Sequence, residues 1–142
     1  MKIGESLPFG FEDTSYQAAG GYQGVINLVE CFYQYLDTLP EAKPLRELYP
    51  KDLTRSKDKL ARFLSGWLGG PRVYQEKYGE INIPRAHQSM GLTEQHKMLW
   101  LACMNRAIAD QPYSTKFATY LNAQFKIPAD RILAAGSTAP TR

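Results

Sequence analysis

The 142-residue sequence has few residues of the kinds that build common metal and redox sites, with two cysteines and two histidines. Cys31 and Cys103 lie far apart inside apolar stretches, which favours two buried thiols in a reducing compartment and leaves a disulfide open. No CxxC or HxxxH spacing is present, so a protein-ligated zinc site is not indicated. A glycine-rich phosphate loop, a Ser-His-Asp arrangement and a zincin motif are also lacking, which removes the commonest signatures of nucleotide binding and hydrolysis.

Long apolar runs and blocks of like charge are lacking as well. The 17 basic and 14 acidic residues leave a formal net charge of +3, and no tract of consecutive Lys and Arg forms the basic stripe that nucleic-acid binding needs. No apolar run is long enough to cross a bilayer, and the first residues do not resemble a signal peptide. We therefore expect a cytoplasmic protein with neither nucleic-acid nor membrane partners.

What is present is the composition of one globular domain, with 44% hydrophobic and 22% charged residues. We expect an N-terminal extension over 1–13, a folded domain over 14–134 and a disordered tail over 135–142. The extension either packs against the domain or moves.

Apolar residues at helical spacing predict two amphipathic helices in the first half of the chain. The first begins after Gly20 and Gly21, ends before Pro40 and turns Tyr33 inward. The second contains Leu60 and Trp67, takes Thr54 or Ser56 as its N-cap and ends at the GGP of 69–71.

The second half of the chain begins with an irregular segment, for which we expect a loop with short helical turns over 69–91. Thr93 then caps a helix that is apolar around most of its circumference, Met98 included, while His96 near its start is expected to be exposed. Pro112 starts the next helix, and a separate short helix follows Pro128. Because no segment alternates with a period of two, the fold class is all-α.

The order of the motifs resembles that of truncated haemoglobins of group II. The matching stretches are YQAAGG at 16–21, CFYQYL at 31–36, LYP at 48–50, LARFLSGWLGGPRVY at 60–74, and His87 followed thirteen positions later by WLACM at 100–104. The resemblance covers roughly residues 14–126. It implies a two-over-two helical sandwich, in which helices B and E pack over helices G and H and enclose haem b, iron protoporphyrin IX.

The resemblance also assigns residues on the proximal side and at the edge of the haem. His87 is implied to be the proximal ligand, binding iron through a neutral imidazole nitrogen, whereas His96 remains a surface residue. Haem needs only one protein ligand here because the porphyrin supplies four nitrogens. Lys59, Arg85 and Tyr74 are candidate partners of the haem propionates, with Tyr78 as an alternative to Tyr74.

On the distal side the family pattern assigns hydrogen-bond donors. These are the hydroxyls of Tyr33 and Tyr49 and the indole N–H of Trp100, which would stabilise negative charge on bound dioxygen. Ser56 falls at the position of the distal histidine of ordinary globins, where a small side chain leaves an entry route. Leu60 and Phe63 are expected to line the pocket.

The implied function is binding of dioxygen, nitric oxide and other diatomic gases with redox chemistry, such as conversion of nitric oxide to nitrate or a reaction with peroxide. Turnover requires a separate reductase, because the sequence has no flavin or nicotinamide site. The alternatives are oxygen storage, delivery or sensing without turnover, and a helical interaction module without haem.

Overall fold

The computed structural model describes residues 9–80 and 91–138, and within these ranges all regular secondary structure is helical. The all-α prediction is therefore confirmed. Arg85 and His87 lie outside the described residues. The elements are α1 (Thr14–Ala18), α2 (Gly21–Thr38), a 3₁₀ turn (Pro40–Ala42), α3 (Lys43–Arg46), α4 (Thr54–Trp67), α5 (Val73–Tyr78), α6 (Glu94–Ala109) and α7 (Thr115–Thr138).

Helix α2 follows its predicted course. Gly20 precedes it with φ of 96°, a left-handed conformation that glycine adopts without strain. Gly24 is needed for close packing, because a Cβ there would lie 1.8 Å from the Ala19 carbonyl oxygen. The apolar stripe turns into the core and carries Tyr33 with it, 4% exposed. The inward orientation predicted for Tyr33 is thus confirmed.

Helix α4 ends at Trp67, just before the GGP segment, as predicted, but its N-cap was predicted wrongly. The residue at the cap position is Leu53, and no side chain caps the helix. Instead the Thr54 N–H donates to Asp52 Oδ1 over 2.9 Å, so the local turn satisfies it. Thr54 and Ser56 both lie within the helix.

Helix α6 begins with the predicted cap at Thr93, whose hydroxyl accepts from the His96 N–H. A helix that is apolar around most of its circumference is expected to be buried on most sides, and on one side of α6 this expectation is wrong, because Met98 is 58% exposed. The residues that α6 buries are Cys103, Met104, Ala107 and Ile108. Both cysteines of the protein are free thiols, Cys103 buried and Cys31 half-buried.

Helix α7 differs most from the sequence prediction. It begins at Thr115 rather than Pro112, and it continues through Pro128 instead of ending there. The Ser114 hydroxyl, which accepts from the Phe117 N–H over 3.1 Å, satisfies the first turn. The helix reaches Thr138 and so includes residues 135–138 of the segment predicted as a disordered tail.

The long helices pack as two pairs. One pair is α2 with α4 and the other is α6 with α7. The two pairs meet where α2 lies against α6. Residue Phe9 of the extension packs its ring 5.1 Å from that of Phe117, so this part of the extension joins the domain. In the described ranges no helix has the length and hydropathy of a membrane span.

Candidate functional site

A cavity of about 360 Å³ lies between α2, α4, α6 and α7. Most of its walls are apolar side chains, and a few polar groups converge on it, as in typical small-molecule and cofactor sites. The residues that line it are Tyr33, Leu45, Tyr49, Ser56, Lys59, Leu60, Phe63, Leu64, Tyr74, Leu92, Thr93, His96, Lys97, Trp100, Phe125, Pro128, Ala129, Ile132 and Leu133.

Three hydrogen-bond donors form one wall of this cavity, which we term the donor wall: Tyr33, Tyr49 and Trp100. The rings of Tyr33 and Tyr49 meet edge to face, with centroids 5.7 Å apart. Residues from three separate segments thus supply the wall. The sequence-predicted distal residues are brought together at one cavity.

Burial governs the protonation of the donor wall. It raises the pKa of Tyr33 well above its ordinary value, and the adjacent Tyr49 adds to this effect. Burial also raises the pKa of Tyr49 to about 12, although the polar groups of Trp100 and Tyr33 act in the opposite direction. Both phenols therefore remain protonated and able to donate hydrogen bonds over the physiological pH range.

The packing behind the donor wall holds its rings in place. Phe32, fully buried, has its ring centroid 5.0 Å from that of Tyr33 and 5.2 Å from that of Trp100. Phe125 contacts Trp100 from α7, with centroids 5.4 Å apart. Close-packed aromatic neighbours leave little room for rotation, so the donors are preorganised.

The adjoining wall comes from α4. Ser56, Leu60 and Phe63 all border the cavity, as the sequence predicts. The Tyr33 hydroxyl donates to the backbone carbonyl of Ser56 over 3.5 Å, a long and weak contact. That hydroxyl can therefore exchange this partner for a ligand in the cavity at little cost.

Three basic side chains, Lys59, His96 and Lys97, border another part of the cavity, which we term the charged rim. Lys97 Nζ lies 2.9 Å from carboxylate oxygens of both Glu94 and Asp130. The pair with Asp130 ties the start of α6 to α7, whereas the pair with Glu94 lies within α6. None of the ion pairs formed within residues 9–80 and 91–138 involves Lys59.

The tyrosines near Lys59 differ in their availability. Tyr74 is 8% exposed and borders the cavity. Tyr78 instead donates its hydroxyl to Asp58 Oδ2 over 2.6 Å, and Lys59 Nζ lies 5.4 Å from the Tyr78 ring centroid. Tyr78 is thus committed to a carboxylate beside the cavity.

Asp58 is the centre of a polar network on α4 and α5. Besides Tyr78, Arg62 and Lys77 bind its carboxylate, with nitrogen to oxygen distances of 3.1 and 2.9 Å. The Tyr78 hydrogen bond and the two cations lower the pKa of Asp58 to about 2. Nothing in the sequence pattern singled out Asp58.

His96 is not the exposed residue that the sequence predicted. It is half-buried and borders the cavity. Its Nδ1 accepts from the Thr93 N–H over 3.0 Å, which closes the capping box of α6. In the neutral ring the proton then resides on Nε2, so that nitrogen offers a donor rather than a lone pair for a metal.

The sequence reasoning missed most of the contribution of α7. Phe125, Ala129 and Ile132 line the cavity at steps of four and three residues, a helical spacing visible in the sequence. Splitting this segment at Pro128 hid the stripe. Among the described residues, no group of three or more His, Cys, Asp and Glu side chains is arranged to hold a metal ion.

Comparison with known proteins gives consistent matches along most of the chain. The family model for bacterial-like globins matches residues 14–132. Group 2 truncated hemoglobin YjbI of Bacillus subtilis (strain 168) is 33% identical over 93 residues, covering 66% of this chain and 67% of the relative.

Solved structures of truncated haemoglobins are similar to this chain as well. The group II 2-on-2 hemoglobin of the plant pathogen Agrobacterium tumefaciens is 32% identical, with a TM-score of 0.80, covering 89% of this chain and 95% of its own. The truncated oxygen-avid haemoglobin from Bacillus subtilis is 28% identical, with a TM-score of 0.75, covering 84% of this chain and 98% of its own.

Proposed function

The chain belongs to the bacterial-like globin family, as a truncated haemoglobin of group II, and we propose that it binds dioxygen tightly and performs redox chemistry with it. Family membership implies haem and the binding of diatomic ligands such as oxygen. The observation that carries the proposal is the convergence of Tyr33, Tyr49 and Trp100 on one wall of an apolar cavity.

The residues present fit a haem. The walls of the cavity are mostly apolar, with a few polar groups that converge on it, as in typical cofactor sites. Donors gather on one wall and cations at the rim, which suits an apolar macrocycle with an anionic edge. Haem b would supply an iron that binds the diatomic ligand and exchanges electrons.

His87 is the proposed proximal ligand, as the resemblance implies. It lies in the segment 81–90 between α5 and α6, outside the described residues. The other histidine, His96, directs Nδ1 to the Thr93 N–H and so caps α6. This use of His96 supports the role that the resemblance implies for His87.

The proposed role of the donor wall is to stabilise negative charge on a bound diatomic ligand. Tyr33, Tyr49 and Trp100 each present a proton from a buried or half-buried position. Donors held in a low-dielectric cavity stabilise developing charge more strongly than water-exposed donors do. Slow release of dioxygen is the expected consequence.

At the rim, Lys59 is the proposed propionate partner among the described residues. Lys97 is already neutralised by Glu94 and Asp130, whereas Lys59 borders the cavity without an ion pair in the described ranges. Tyr74 remains a second candidate. Arg85, also predicted, lies outside the described residues.

The proposed reactions are oxidation of nitric oxide to nitrate by the oxygenated protein and reduction of hydrogen peroxide. The oxygen avidity named for the Bacillus subtilis relative supports a ligand-trapping site rather than rapid delivery. Restoring the ferrous protein between turnovers would require electrons from a separate reductase or a small donor.

Stopped-flow measurement of oxygen dissociation tests the proposal, after ferric, ferrous and oxygenated spectra have established haem loading. Tyr33→Phe and Trp100→Phe should each accelerate release by about tenfold, the equivalent of one lost buried hydrogen bond of about 1.4 kcal/mol. Tyr22→Phe on the same helix serves as the matched control. Fast release in the unaltered protein, unchanged by the donor-wall variants, would contradict the trapping function.

A further inference from the structure

Trp67 connects the cavity to a different part of the molecule. Its ring stacks between those of Phe63 and Phe125, with centroids 6.3 and 4.7 Å away and interplanar angles of 26° and 30°. Both phenylalanines line the cavity. Phe125 in turn contacts Trp100 at 5.4 Å, so two indoles are joined through one phenyl ring.

The other side of Trp67 borders a second, polar cleft of about 150 Å³. This cleft opens between α1, the end of α4 and α7, and Trp67 itself is half-buried. Its polar side chains are Glu12, Ser15, Tyr120 and Gln124. Trp67 therefore contacts aromatic rings that line the proposed haem cavity, and it also lines a cleft that a small polar molecule can enter.

Indoles are better suited than the cavity phenols to carry charge out of this site. One-electron oxidation of a phenol expels its proton, and the partners of the Tyr33 hydroxyl are the Ser56 backbone carbonyl and the Tyr49 hydroxyl, neither of which takes up a proton readily. An indole can lose an electron while keeping its N–H. When the donor wall is oxidised by one electron, we therefore expect Trp100 to be the residue that loses it. The neighbouring indole of Trp100 is Trp67.

We propose that Trp67 is an electron relay between the haem cavity and the polar cleft, where a small phenol delivers electrons. The inference rests on the proposed reaction with hydrogen peroxide. A neutral phenol fits the cleft because Glu12 and Gln124 offer acceptors for its hydroxyl, while the Glu12 carboxylate repels anionic donors.

Reduction of hydrogen peroxide to two water molecules breaks the O–O bond and takes up two electrons and two protons. For each electron, oxidised Trp100 recovers one from Trp67, and Trp67 recovers one from a phenol. Each phenol releases its proton to water and leaves as a phenoxyl radical, so two phenols serve one peroxide.

Peptide mass spectrometry of the haem-loaded protein after a small excess of peroxide, without phenol, tests the relay. Oxygen addition at Trp67 is expected, although Trp67 does not line the cavity. Phe125→Leu, which removes the bridging ring, should reduce that product several-fold, and Trp67→Phe should slow oxidation of a methoxyphenol by peroxide several-fold. Trp67→Tyr, which restores an oxidisable ring, should recover part of the rate.

Tyr22→Phe, outside these ring contacts, is the control and should change neither measurement. Oxidation confined to Trp100, or equal oxidation of Trp67 with and without the Phe125 ring, would overturn the relay. Ferrous carbon monoxide spectra establish that each variant still folds around haem.

A second experiment separates failure of the relay from failure of the peroxide reaction. Azide radicals generated by pulse radiolysis oxidise accessible indoles of the ferrous haem-loaded protein, and the tryptophan radical decays as it takes an electron from the haem. The Trp67-dependent part of this decay, identified with Trp67→Phe, should slow several-fold in Phe125→Leu. An unchanged decay would disprove the relay whether or not the protein reacts with peroxide.

Discussion

The donor wall and the charged rim border the same cavity but are stabilised differently. Behind the wall, Phe32 is 0% exposed and Tyr33 4% exposed, so close packing fixes the donors. At the rim, the Lys97 side chain is 18% exposed, but its partners Glu94 and Asp130 are 64% and 63% exposed. Exposed ion pairs contribute little, so the rim is adjustable where the wall is rigid.

Removing the packing behind the wall should have the largest effect. Phe32→Ala deletes a fully buried ring that contacts Tyr33 and Trp100, and it should lower the free energy of unfolding by about 3–5 kcal/mol. Urea denaturation measures the change. Met98→Ala, at a 58% exposed apolar side chain, should cost less than about 0.5 kcal/mol. Equal costs would mean that the wall is not packed as described.

Removing a donor without removing its ring tests the wall itself. Tyr49→Phe keeps the edge-to-face contact with Tyr33 but deletes a hydroxyl, so oxygen dissociation should accelerate by about tenfold, or about 1.4 kcal/mol. Stopped-flow spectroscopy of the oxygenated protein measures the rate. Tyr22→Phe, at a tyrosine that is not among the residues lining the cavity, is the comparison, and a matching acceleration there would argue against a distinct donor wall.

The start of α6 joins the rim to the wall, since this helix carries both His96 and Trp100. Thr93→Ala removes the capping hydroxyl and should cost about 1 kcal/mol in thermal unfolding, while Thr93→Ser should retain most of the stability. If Thr93→Ala lowered the free energy of unfolding by much less than about 1 kcal/mol, the hydrogen bond to the His96 ring would be sufficient to stabilise the start of the helix.

The smallest effect is expected from the polar network beside the rim. Because the pKa of Asp58 is lowered to about 2 from an ordinary 3.8, its stabilising contribution is present above about pH 4 and disappears as the pH falls through 2. Asp58→Asn should therefore cost under about 1 kcal/mol at pH 6 and almost nothing near pH 2. A cost that is the same at both pH values would exclude the charge as its cause.

The features that the sequence predicted correctly are those set by local chemistry. The spacing of apolar residues defines α2 and turns Tyr33 inward, the GGP segment ends α4, and Thr93 caps α6. The motifs from residue 16 to residue 104 were enough to identify the family. The predicted roles of His87 and of the donor-wall residues stay predictions.

Local rules failed where distant contacts compete with them. Pro128 is a helix breaker by local chemistry, yet α7 continues through it, and its cavity-facing side chains include Phe125, Ala129 and Ile132. An apolar side chain such as Met98 is expected to be buried, but Met98 is 58% exposed. His96 was expected at the surface, but the capping box turns its ring toward the cavity rim.

By itself, then, the sequence determined the courses of α2 and α4, the start of α6 and the family to which the chain belongs, because hydrogen bonding within a helix and burial of one stripe depend on neighbours in the chain. Only the tertiary structure decided that Phe32 packs behind Tyr33 and Trp100, that Asp58 gathers Arg62, Lys77 and Tyr78, and that Trp67 stacks between two cavity phenylalanines. These contacts join residues that are tens of positions apart in the sequence. They depend on how the helices pack, which the spacing of residues along the chain does not show.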